Sequence, residues 1–169
     1  MPCQSGKTSV ICNLAIKHAR KGKSVYIING VNTVSLKIQM KNDILDAAKE
    51  YIETDECLKN TITASDISNR INIIWQQDMK NLNNIKSNSL IIHDESHVAQ
   101  NKSNVVFKDF YSKHNLNGIF NGDYSELNKR NINILDVSAT PYSQIISKYN
   151  KDIDTIVFSS GDKGYFGIN

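Results

Sequence analysis

Arginine is scarce in this chain of 169 residues, where Arg20, Arg70 and Arg130 are the only three. Cysteine is equally scarce: Cys3, Cys12 and Cys57 make an odd set without zinc-ligand spacing, which argues against a disulfide framework or a zinc site. No apolar run approaches the ~20 residues of a membrane span, and no hydrophobic leader is visible at the N-terminus. A strong charge of either sign is also missing. The net charge is +3, and the lysines are scattered rather than clustered, which permits contact with nucleic acid without arguing for it. Internal repeats and low-complexity linkers are absent. The expectation is one soluble, intracellular domain over residues 1–169, with free thiols and no membrane partner. At 40% hydrophobic and 22% charged residues, the chain has the composition and the length to bury a single core.

Apolar spacing gives the order of elements. Val10, Ile11, Leu14, Ala15 and His18 share one face of a helix expected from about Lys7 to Lys21, with Gly22 as its stop. Ser24 to Ile28 is a short, nearly continuous apolar run, as in a strand buried on both faces, and Asn29-Gly30 breaks it. A second helix is expected from Asn32 to Tyr51, with Leu36, Met40, Ile44, Leu45 and Ala48 inward, and a polar helix or loop leads on to Ser68. Strands follow at Arg70–Trp75, Leu90–His93, Asn133–Val137 and Thr155–Phe158, with a helix from Val105 to Leu116 ended by Asn117-Gly118 and a turn at Asn121–Asp123. Short apolar strands alternating with helices predict an α/β fold whose sheet is mostly parallel.

Three stretches carry chemistry. Gln4, Ser5, Gly6, Lys7, Thr8 and Ser9 bring glycine, lysine and hydroxyls together just before a helix. Glycine lets backbone N–H groups turn toward phosphate oxygens, the ammonium reaches the β- and γ-phosphates, and a hydroxyl ligates Mg²⁺. The helix offers its positive end to the same anion. Asp94 and Glu95 follow an apolar strand and precede His97. Asp94 suits a Mg²⁺ partner beside Thr8, and Glu95 is placed to orient and deprotonate an attacking water. Ser138, Ala139 and Thr140 end another strand. In parallel sheets ligands bind outside the carboxyl ends of strands, so the three stretches can meet at one edge.

Each stretch also has a plainer explanation. Gly-Lys-Thr occurs in ordinary turns, paired acids cap strand ends, and His97 alone would pass for a surface residue. Their joint occurrence in this order favours the nucleotide site. His18, His93 and His114 fit no site, and core or surface roles suffice for them. Trp75 and the tyrosines are expected to pack.

Gln4 to Thr8, Asp94-Glu95-Ser96-His97 and Ser138-Ala139-Thr140 resemble motifs I, II and III of superfamily 2 helicases of DEAD/DEAH-box type. The variant Asp-Glu-Ser-His and the continuation Ser-Ala-Thr-Pro-Tyr look most like viral or restriction-enzyme helicase subunits. The resemblance covers nearly the whole chain. It implies a RecA-like ATPase domain that binds ATP and Mg²⁺ at its strand ends and grips DNA or RNA through its outer loops. Lys7, Glu95 and His97 would be the catalytic group, Thr8 and Asp94 the metal pair, and Ser138, Ala139 and Thr140 the coupling segment. Asn29 to Thr33 occupies the place of motif Ia.

The chain departs from this pattern in two places. Met1 stands where the family's loop begins with glycine, and the strand before that loop is missing. The family's second RecA-like domain, with its arginine finger, does not follow. The resemblance therefore implies a domain truncated at both ends, partnered by a second RecA-like domain. The competing expectation is a non-catalytic remnant that holds nucleic acid or a partner chain without ATP turnover. A nucleotide kinase is disfavoured, since three arginines are too few for its lid and substrate site.

Overall fold

The structure is a computed structural model and describes residues 7–30, 34–55, 61–94 and 104–137. Helix α1 (Lys7–Ala19) leads to strand β1 (Ser24–Asn29). Helices α2 (Val34–Thr54) and α3 (Ala64–Asn69) then lead to β2 (Ile71–Trp75). A 3₁₀ turn at Gln76–Asn81 precedes β3 (Ser89–Asp94). Helix α4 (Asn104–Lys113), a 3₁₀ turn at Asn117–Asn121 and helix α5 (Ser125–Arg130) precede β4 (Ile132–Val137). The four strands form one sheet in the order β2-β1-β3-β4, and every pairing is parallel.

Strand periodicity divides the sheet residues between two cores. Val25, Ile27, Leu90 and Ile92 face α1, α2 and α3, packing with Ile11, Ile16, Met40, Ile44 and Ile67. Tyr26, Ile28, Ile91 and Ile132 face the other way, toward Met79, Phe110, Tyr111, Leu116 and Leu127. Both faces are covered, as an all-parallel sheet requires. Gly22 stops α1 as expected, at φ +83°. The Lys23 N–H donates to the His18 carbonyl at 3.2 Å and the Gly22 N–H to the Ala19 carbonyl at 3.0 Å, the paired bonds of a Schellman cap.

Several helical expectations are corrected. On α1 the buried residues are Ile11, Cys12, Ala15, Ile16 and Ala19, whereas Val10 is 49% exposed. The helix is apolar on more than one stripe, and the sheet beneath it selects the one that includes Cys12 and Ile16. On α2, Met40, Ile44 and Ala48 are inward, but Leu36 is exposed. Helix α4 stops at Lys113 because Asn115, at φ +58°, takes the left-handed turn expected of Asn117-Gly118. The polar hexapeptide of α5 carries no apolar period and buries Leu127 alone. The expected strand Thr155–Phe158 lies outside the described residues.

The order β2-β1-β3 places the site. After β1 the chain passes along the α2–α3 face to β2, and after β3 it passes along the α4–α5 face to β4. Two neighbouring strands thus send their connections to opposite sides, the arrangement that in open α/β sheets marks the ligand-binding edge at the carboxyl ends. Those ends are Asn29 and Asp94, which are partners in the parallel register.

Gly22→Ala should cost about 1–2 kcal/mol, because alanine pays the left-handed penalty that glycine avoids. Gly22→Asn should cost less. Urea unfolding of the three proteins measures this, and an alanine variant as stable as the parent would contradict the cap.

Candidate functional site at the carboxyl edge of the sheet

Helix α1 runs back along the sheet, joined to β1 by the turn at Gly22, so its first residue points toward the carboxyl edge. Its 13 residues span about 20 Å at 1.5 Å each, and the 6 of β1 span about 20 Å at 3.3 Å each. Lys7 is therefore level with Asn29. Asn29 is in register with Asp94 on one side and Trp75 on the other.

Side-chain alternation along β3 turns Leu90, Ile92 and Asp94 toward the α1 face, and Ile91 and His93 toward the α4 face. The Cys12 thiol records the result. It is 4% exposed, and its pKa is pushed from an ordinary 9.0 to about 11 by burial, then by the negative charges of Asp43 and Asp94. Asp94 therefore acts electrostatically on the helix that Lys7 opens. Between pH 9 and 11 the unfolded chain loses the thiol proton before the folded one, so this group lowers stability as pH rises through that window.

Among the expected site residues, the structure describes Lys7, half-buried at the start of α1, Thr8 and Ser9, exposed in its first turn, and Asp94, half-buried at the end of β3. Gln4, Ser5, Gly6, Glu95, His97, Ser138, Ala139 and Thr140 lie outside the described residues. Lys7, Thr8, Ser9 and Asp94 share the carboxyl edge. The donor set suits Mg²⁺ in its usual protein setting. Among the described residues no three His, Cys, Asp or Glu side chains cluster to hold a metal unaided. Mg²⁺ does not need such a cage, because one carboxylate, a hydroxyl, waters and substrate phosphates complete its octahedron.

A second polar group borders this edge and was not expected. His93 is buried at 6% exposure in the penultimate position of β3. Its Nδ1 lies 2.5 Å from the Asp136 carboxylate on β4, and the Tyr111 hydroxyl of α4 lies 2.8 Å from its Nε2. Burial and the charge of Asp136 raise the Tyr111 phenol well above its usual range, so it stays a neutral hydroxyl in hydrogen-bond contact with Nε2. Asp136, held ionised, can only accept, so Nδ1 carries the proton of that bond and donates it to Asp136. The inner side of Asp136 is desolvated, which raises its carboxyl, but attraction and the hydrogen bond from His93 prevail and hold it below the usual carboxylate range. The outer side is open, with the side chain 46% exposed. Phe107 packs edge-on against the ring at 5.0 Å. The available sequence signal was a pair of ionisable residues, His93 and Asp136, each inside an otherwise apolar strand.

The three arginines lie elsewhere. Arg20 follows α1, Arg70 precedes β2 and Arg130 ends α5 just before β4, all at the amino edge of the sheet. Arg20 sits over the Tyr51 ring at 4.7 Å and 3.6 Å from Asp55, and Arg130 donates to the carbonyls of His114 and Ile85.

Replacing Asp94 with asparagine should lower the Cys12 pKa while leaving it above 9, since burial is its larger cause. A ¹³Cβ-cysteine NMR titration measures this. An unchanged midpoint would place the Asp94 charge away from α1.

The sequence has a counterpart in one family. A family model described as type III restriction enzyme, res subunit, matches residues 1–143. No curated protein and no solved structure matches the chain. With most of its length matched and an all-parallel α/β sheet beneath the matched segment, the chain belongs to the type III restriction enzyme res-subunit family, a helicase-like superfamily 2 ATPase domain.

Proposed function

We propose that the chain is the ATP-binding and hydrolysing motor domain of a nucleic-acid helicase or translocase. The observation that carries this reading is the shared edge: Lys7 opens α1 at the level where Asp94 ends β3, at the β1/β3 reversal of the connections. Lys7 and the backbone of Ser5 to Thr8, with Gln4, Gly6 and Ser9 completing the loop, hold the phosphates. Thr8 and Asp94 hold Mg²⁺. When bound, that ion neutralises charge on the β- and γ-phosphate oxygens. Glu95 takes a proton from the water that attacks the γ-phosphate. His97, Ser138, Ala139 and Thr140 couple the loss of that phosphate to movement on DNA or RNA.

The placement of the arginines supports a partner. All three are at the amino edge, and two of them are engaged in packing there. An arginine that stabilises phosphoryl transfer is worth about 10³–10⁵ in rate, so it comes from a second RecA-like domain outside this fold.

Lys7→Ala should weaken ATP binding by about 30-fold or more, the equivalent of at least ~2 kcal/mol for a desolvated charge contact. Glu95→Gln should keep binding and lower turnover by about 10²–10⁴. Titration with a fluorescent ATP analogue and steady-state ATPase assays, alone and with single- or double-stranded nucleic acid, measure both. Equal affinity of the parent and the Lys7 variant would contradict this reading.

A further inference from the structure

Cations that are spread thinly along the chain gather at the amino edge of the sheet. Lys17 lies in the last turn of α1, and Lys21 and Lys23 flank Gly22 in the turn that follows. Arg70 enters beside them from the approach to β2, and its carbonyl accepts the Val25 N–H at 2.8 Å. Its guanidinium lies over Gly22, with Nη1 3.5 Å from the place a Cβ would take. On the other side, the Asn88 amide donates to the Gly22 carbonyl at 3.4 Å, and Lys86 stands two residues before it. Lys17, Lys21, Arg70 and Lys86 are exposed. Burial lowers the pKa of His18, and the charges of Lys23, Lys21 and Lys17 lower it further, so these three ammonium groups act on one spot.

A helix C-terminus favours cations by itself, which explains Lys17 and Lys21. It does not explain Arg70 and Lys86, which come from the approaches to two other strands. Internal pairing does not explain them either. Asp55 pairs with Arg20, and Asp66 is the acid that senses the charge of Arg70. Among the described residues, no carboxylate lies within ion-pair distance of Lys17, Lys21, Lys23, Arg70 or Lys86.

The surroundings select the partner. Exposed amides of Asn88, Asn131 and Asn133 stand among the cations along the same edge. The exposed large apolar side chains, Val10, Val34, Leu36, Ile38, Val105 and Val106, lie early in α1, α2 and α4, toward the opposite edge. An acidic protein or a membrane surface calls for apolar anchors beside the charge. A phosphate backbone requires only cations and hydrogen-bond donors. Four strands about 4.8 Å apart make the edge roughly 14 Å wide, the rise of about four phosphates along one strand of a duplex.

We propose that the amino edge, from Arg70 across Lys17, Lys21 and Lys23 to Lys86, binds the phosphate backbone of nucleic acid without reading its sequence. The length of α1, about 20 Å, separates it from Lys7 and the candidate nucleotide site. The contact does not rest on the motor reading, since neither ATP nor a residue of the carboxyl edge takes part.

The test is binding of the full chain, without nucleotide, to a fluorescein-labelled oligothymidylate and a labelled mixed-sequence duplex, followed by anisotropy between about 50 and 200 mM salt. Lys17→Gln, Lys21→Gln and Arg70→Gln combined should weaken binding of the bound probe about tenfold or more at the low-salt end and reduce the log–log salt slope by about 2–3. Each substitution alone should reduce the slope by about 1, so the result does not depend on the stability of the triple variant. The charge-matched control, Lys49→Gln, Lys80→Gln and Lys108→Gln combined, should stay within about twofold of the parent. Equal losses in both triple variants would reduce the effect to net charge and overturn the proposal, as would a parent that binds neither probe. Polyglutamate that competes as well as unlabelled oligothymidylate would overturn the assignment to nucleic acid in favour of an acidic protein. A chain that fails to bind ATP would sink the motor reading and leave this result standing.

Discussion

The parallel pairing of β1 with β3 is the constraint on which the rest depends. It places Asn29 and Asp94 side by side at the carboxyl edge. The connections that follow these neighbouring strands run on opposite faces of the sheet, which makes their carboxyl ends the switch point of the fold. The α1–β1 turn adds the remaining requirement. A helix and a strand of matched length, folded back at Gly22, bring the first turn of α1 to the same edge. Nothing in this arrangement requires a long-range charge pair to form first. Apolar burial on both faces of the sheet sets the register, and the register sets the site.

The same geometry separates functions by edge. The carboxyl edge carries the lysine, hydroxyls and carboxylate of the candidate site. The amino edge carries left-handed Asn88 and Asn131, whose side chains bond each other at 2.8 Å, together with the three arginines. Arg130 stitches the segments before β3 and after α4 by donating to their carbonyls. The guanidinium groups of Arg20 and Arg130 therefore serve architecture in this domain.

Strands were the most legible part of the sequence. Ser24 to Asn29 and Ser89 to Asp94 are nearly continuous apolar runs, and burial on both faces leaves such runs few alternatives. Helix faces were less legible. On α1, Val10 and Leu14 are as apolar as Ile11 and Ile16, so periodicity could not choose between stripes, and contact with the sheet did. Helix α5 was invisible because its hexapeptide has one apolar anchor, Leu127. Lys7 and Asp94 stood out as candidates because glycine, hydroxyl and acid neighbours surround them in sequence. The His93 cluster was not, since Tyr111 and Asp136 are 18 and 43 residues away and meet the ring only through sheet register and the packing of α4.

The central claim is that the first turn of α1 and the last residues of β3 face one bound nucleotide and its metal. Mn²⁺, which accepts the same oxygen ligands as Mg²⁺, makes that claim directly measurable. With Mn²⁺ and a non-hydrolysable ATP analogue bound, NMR amide signals of Lys7, Thr8 and Ser9 should broaden together with those of His93 and Asp94, while Ser24 and Ser89 at the amino edge stay sharp. Broadening of only one of the two groups, or of the amino edge, would contradict the account.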